Sequence, residues 1–214
     1  MTDMTISPRK TGSRGPTQLR WLTAGMLAWA ALVVTLAVRG TFDVPPNAPA
    51  LPTVAAMATP VLLFAAAMIA APNLRARAMA LVPVLPTHFQ AWRILGGLFL
   101  AVYAFGHLPG FFAWPAGLGD VAVGIAAAFV ALTLSRNGDI LHRGGFRTFH
   151  FLGLSNFVIA FATGLAARNA ISGFVTGVTT APMGQIPLVL IPAFVVPAFI
   201  ILHLIVLMQS YARR

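Results

Sequence analysis

Long apolar stretches recur six times along the chain, at about 21–38, 54–71, 87–106, 120–134, 148–167 and 188–208. Short breaks rich in Pro, Gly or Arg separate them. Within a stretch the apolar residues run on rather than alternating with polar ones, as the strands of an outer-membrane barrel would over roughly 10 residues. A helix needs about 20 apolar residues to cross a bilayer, and it satisfies its own backbone in a medium that offers no partners. The pattern predicts an all-α fold: a polytopic helical membrane protein with six transmembrane helices between residues 21 and 208. Residues 1–20 carry four bases without periodicity and read as a disordered basic tail; residues 209–214 read as a short C-terminal tail. The first stretch exceeds the apolar region of a signal peptide, about 7–15 residues, so it is read as a retained helix.

Composition narrows the class. The chain is 58% hydrophobic and 8% charged, against about 25% charged in a soluble domain. A soluble enzyme and a nucleic-acid-binding domain are both excluded. No cysteine is present, which removes disulfides, zinc thiolates and iron–sulfur clusters.

The +10 net charge changes meaning once the bases are sorted by alternate breaks. Eleven lie in the N-terminal stretch, around Arg75 and Arg77, between Arg136 and Arg147, and at the C-terminus. The alternate breaks hold only Arg39 and Arg168. Cytoplasmic loops of membrane proteins carry this excess, so both termini are expected in the cytoplasm. The bases form no single groove that a nucleic acid would need. All but one of them are Arg, a bias that fits a GC-rich bacterial genome and hence the bacterial cytoplasmic (inner) membrane.

Arg93 is the base left over, inside the third stretch. Its side chain could snorkel to the cytoplasmic headgroups. Helical periodicity offers a second reading: Gln90, Arg93, Gly97, Leu100, Ala104 and His107 share one face. The fourth stretch shows a matching face of Asp120, Gly124, Ala127, Ala131 and Ser135. Small residues let helices approach closely in lipid, so helices 3 and 4 are expected to form a tight hairpin. That hairpin would bring His107 and Asp120 together at its outer end, where the pair would bind a proton, a cation or a small ligand. The plainer alternative makes Asp120 the N-cap of the fourth helix.

Asn156 is a further polar group within an apolar stretch, and such groups are functional candidates by default. His150 and His203 lie at matching depths in the fifth and sixth stretches, where two imidazoles would clamp a b-type haem. Pro192 and Pro197 should kink the last helix. No nucleotide-binding loop, metal-ligand spacing or hydrolase motif occurs. The resulting expectation is a non-enzymatic protein: a small permease-like protein, or a structural subunit of a larger membrane complex. A membrane haem-binding oxidoreductase is the alternative. The partners implied are the lipid bilayer and other membrane-protein subunits or further copies of the chain; no other cofactor and no metal are implied.

Overall fold

The computed structural model describes residues 16–46, 48–168 and 177–212, with side chains from residue 24 onward. The first fifteen residues of the basic N-terminal stretch and the final two arginines lie outside the described residues. In chain order the helices are α1 (Pro16–Val38), α2 (Leu51–Ala70), α3 (Pro72–Met79), α4 (Val84–Phe89), α5 (Leu98–Ala104), α6 (Gly110–Arg136), α7 (Gly144–Ala166) and α8 (Val196–Tyr211). A 3₁₀ segment, Gln90–Gly97, joins α4 to α5, and a π-helical turn, Ile191–Val195, leads into α8. There is no strand among the described residues. Four helices are long and apolar enough to cross a membrane: α2, α6, α7 and the continuous stretch Ile191–Tyr211.

The third apolar stretch is not one regular helix. Gly96 and Gly97 weaken it, since glycine loses the most backbone freedom on ordering, and it tightens to 3₁₀ over residues 90–97. In a 3₁₀ helix side chains three apart eclipse. Gln90, Arg93 and Gly96 therefore stack on a single face. Thr87 lies inside α4, its hydroxyl donating to the Pro83 carbonyl at 2.8 Å.

The largest correction concerns α6. It was expected to start at Asp120 and begins at Gly110, directly after Pro109 in an extended conformation. Pro115 removes one backbone donor early in the helix, but burial outweighs that cost. Phe112, Ala113 and Ala116 pack with Phe99, Leu108 and Ala167 into one core cluster. Asp120 is thus well inside the helix, and the N-cap reading is withdrawn.

Helix α6 runs antiparallel to residues 91–103 at close range. Gly110 faces Tyr103, Gly117 faces Leu100, Gly96 faces Asp120, and Gly124 faces Ile94. A methyl group at Gly124 would stand 2.5 Å from the Ile94 nitrogen, so the backbones touch only because that position is glycine.

Polar side chains knit each end of the bundle. At one end Arg168 donates from Nη2 to Val44 O at 2.6 Å and from Nε to Ala48 O at 3.0 Å. Burial pulls this guanidinium below its usual pKa, and the charge of Asp43 acts against that. Phe42 packs with Val33, Val189 and Ala193 beside it. At the other end Gln209 donates to the carbonyls of Ala78, Met79 and Leu81. Arg147 and His142 both donate to Ser210 O, at 2.7 and 3.1 Å. These bonds satisfy carbonyls that helix ends leave open. Residues 209–211 accordingly belong to α8 rather than to a tail.

The prolines of the last stretch act as a register change. Between Pro192 and Pro197 the Val196 N–H reaches back five residues to Ile191 O, giving the π turn.

Candidate functional site

Arg93 is 2% exposed, and its guanidinium lies at the junction of α6, α7 and α8. The snorkelling alternative is thereby withdrawn. Nε and Nη2 donate to Asp120 Oδ1 at 2.9 and 2.7 Å. Nη1 donates to the Gly153 carbonyl at 3.0 Å and faces His203 Nε2 at 3.2 Å. The guanidinium plane lies over the Phe157 ring, 3.8 Å from its centre. Such stacking suits Arg, which is planar and weakly hydrated. Asn156 Nδ2 donates to the same Asp120 oxygen at 3.0 Å. Burying each ion would cost several kcal/mol unless its hydrogen-bonding groups were met, and these bonds meet most of them.

The network continues through two imidazoles. His203 and His150 face each other through their Nδ1 atoms at 2.7 Å, with both rings fully buried. An Arg only donates, so His203 Nε2 must accept and His203 Nδ1 carries the proton. His150 Nδ1 then accepts, and its own proton sits on Nε2. That atom is buried without a hydrogen-bond partner, and the His150 ring packs against those of Phe146 and Phe149, with ring centres 4.7 and 4.9 Å apart.

Glycines make the room. A methyl group at Gly153 would stand 2.6 Å from His203 Cε1 and 3.2 Å from Arg93 Nη1. One at Gly96 would stand 2.6 Å from Asp120 Oδ2, and one at Gly119 would collide with Asn156. Gln90, on the same 3₁₀ face as Arg93, donates to the Phe199 carbonyl at 3.2 Å.

Two apolar spaces meet at the ion pair. A cavity of about 110 Å³ runs from Arg168 and Thr180 past Phe112 to Asp120. A groove of about 360 Å³ has Arg93 and Asp120 among its lining and extends past Leu98 and Phe199 to Trp92 and Met26. Asp120, Phe99, Phe157, Ile191 and Val196 border both.

Of the residues singled out in the sequence, Arg93, Asp120 and Asn156 come together, and His150 and His203 join them. His107 does not. It is exposed in the turn before α6, while the hydrogen bonds of Asp120 go to Arg93 and Asn156. The His107–Asp120 pair failed because it assumed a late start for α6. The haem clamp also fails. Two imidazoles that clamp an iron need room for it between them, whereas His150 and His203 are in direct hydrogen-bond contact through Nδ1 atoms 2.7 Å apart. Among the described residues no group of three His, Cys, Asp or Glu is placed to hold a metal. Gly153 and Phe157 went unnoticed in the sequence. Their signal was a stripe on α7, His150, Gly153 and Phe157, at steps of three and four.

The chain is thus a helical protein with four helices long and apolar enough to span a membrane and a buried ion pair where three of them meet. It belongs to a family described as a domain of unknown function, DUF8737, whose model matches residues 50–210. That match covers the whole Arg93–Asp120–Asn156–His203–His150 network. No curated protein and no solved structure matches the chain.

Proposed function

We propose that this is a six-crossing protein of the bacterial cytoplasmic membrane, with both termini cytoplasmic, that works without catalysis as a small permease-like protein. In this reading α1 and the α4–α5 segment supply the two crossings beyond the four long helices. Two observations support the topology. The turns around residues 44–48 and 167–168 are bonded to each other at one end, and the segments around 78–81, 142–147 and 209–210 at the other. The second group is also the one rich in Arg.

The observation that carries transport is the position of Asp120. It is the single acid in the four long helices, it is paired with Arg93, and it borders both the cavity and the groove. A polar station between two apolar spaces is what a small solute would need to pass through the bundle.

The test is flux in proteoliposomes, using shrinkage under glycerol or urea gradients and a trapped pH-sensitive dye for protons. Wild-type protein should exceed protein-free vesicles for at least one probe, and Arg93→Ala and Asp120→Ala should return that flux to background. Wild-type vesicles no leakier than empty ones would remove the reading.

A structural subunit is the second reading, and α2 favours it. None of its residues is buried, although it is as apolar as the other spans. A partner helix would cover this face. Purification in mild detergent should then yield a stable complex through α2, and a lone monomer would count against it.

A further inference from the structure

The groove beside the ion pair has a floor and a rim of different chemistry. Its rim includes Trp92 and Leu98, 60% and 61% exposed, on the outer surface of an apolar bundle. In a membrane those residues face acyl chains, so the groove is reached from the lipid side. Its floor holds Arg93 and Asp120.

The floor has hydrogen-bonding capacity left over. Arg has five N–H groups; one on Nε, one on Nη2 and two on Nη1 are engaged by Asp120, Gly153 and His203. One Nη2 hydrogen remains. On the acid, Oδ1 receives all three bonds from Arg93 and Asn156, and Oδ2 receives none of them. The Asp120 side chain is 15% exposed. The Arg93 side chain is 0% exposed, which closes off its spare hydrogen, so the open position on the floor is an acceptor, Asp120 Oδ2.

Charge decides what fits there. Arg93 and Asp120 cancel, and the hydrogen-bond order makes both imidazoles neutral. A ligand with a net charge would stay uncompensated among apolar walls, where desolvation is not repaid. A head group that donates a hydrogen bond, on an uncharged molecule, completes the floor. The groove, about 360 Å³, is at the low end for small-molecule sites. That volume suits one chain rather than a two-chain lipid.

We infer that the groove binds a neutral single-chain amphiphile, an alcohol or a primary amide, its head donating to Asp120 Oδ2 and its tail lying in the groove beside Leu98 and Trp92. This rests on the reading of the ion pair as a ligand station and not on transport.

The experiment uses full-length protein in lipid vesicles with Trp21, Trp29 and Trp114 changed to Phe, so that Trp92 reports alone. Four probes carry bromine at the tail end: undecanol, undecanamide, undecanoate and undecyl-trimethylammonium. The alcohol and the amide should quench Trp92 saturably, with the two charged probes weaker by about tenfold or more. Asp120→Asn leaves Arg93 uncompensated and should invert the order, making the carboxylate the tightest. Ala198→Phe fills the groove without touching the pair and should abolish saturable quenching; with the wild-type head-group series it decides the matter if Asp120→Asn does not fold. Equal binding of alcohol and carboxylate by wild type, or saturable quenching unchanged in Ala198→Phe, would overturn the inference. So would the absence of saturable quenching by the alcohol. Saturable binding without flux removes permeation and leaves this site standing. Flux without saturable quenching does the reverse.

Discussion

At the scale of single residues, the structure turns on charges that cannot leave. Arg93 and Asp120 hold each other in a largely buried site, so removing one partner strands the other. Arg93→Met or Asp120→Leu alone should each cost about 3–5 kcal/mol. The double variant should recover much of that loss, because an apolar pair strands no charge. Unfolding in mixed micelles, run on all four proteins, reads this directly; additive losses would show that the two residues do not act as a pair. Gly153→Ala is the steric counterpart. Its methyl group would displace the His203 ring from Arg93, at a cost of about 1–3 kcal/mol, and a second change of His203 to Ala should relieve it. The same melting measurement compares Gly153→Ala with the double variant. Arg93, Asp120 and Asn156 were legible in the sequence because each interrupts an apolar run. The contact of Arg93 with His203 was not, since 110 residues separate them and only tertiary packing brings α8 to the 3₁₀ segment.

At the scale of elements, short polar ties set where helices stop. Gln209 on α8 donates to three carbonyls at the C-terminal end of α3 and just beyond. Gln209→Ala should cost about 1–3 kcal/mol, the penalty for leaving buried carbonyls unmet. Because α3 carries Arg75 and Arg77, limited trypsin digestion provides the measurement: cleavage there should speed up in the variant. Unchanged cleavage would mean that α3 is held by other contacts. The start of α6 shows where reading by element breaks down. Pro109, Pro115 and three aromatics made residues 107–119 read as a break between apolar stretches. Burial of Phe112, Ala113 and Ala116 against α5 and the end of α7 made it helix. Local propensity is a weak prior that tertiary packing overrides.

For the whole molecule, topology is the open quantity that charge bears on most strongly. The chain has no cysteine, so a single introduced thiol reports one position cleanly. On intact spheroplasts a membrane-impermeant maleimide should label His107→Cys and should miss Asn137→Cys until the membrane is opened. Both sites lie between consecutive helices, with α6 separating them. The opposite pattern would invert the proposed orientation, and equal labelling would remove the crossing by α6.

The sequence by itself determined the kind of molecule. Long apolar runs in a chain with four acids leave a helical membrane protein as the physical solution, because lipid satisfies no backbone group. It also marked Arg93 and Asp120 as the charges that needed a reason. Only the tertiary structure decided which groups supply that reason. The 3₁₀ spacing turns Gln90 and Arg93 to one face, α6 begins early enough to set Asp120 opposite Gly96, and Gly153 leaves room for His203. Each of these depends on a close approach between segments distant in the chain, and periodicity within one segment holds no record of what its neighbour will be.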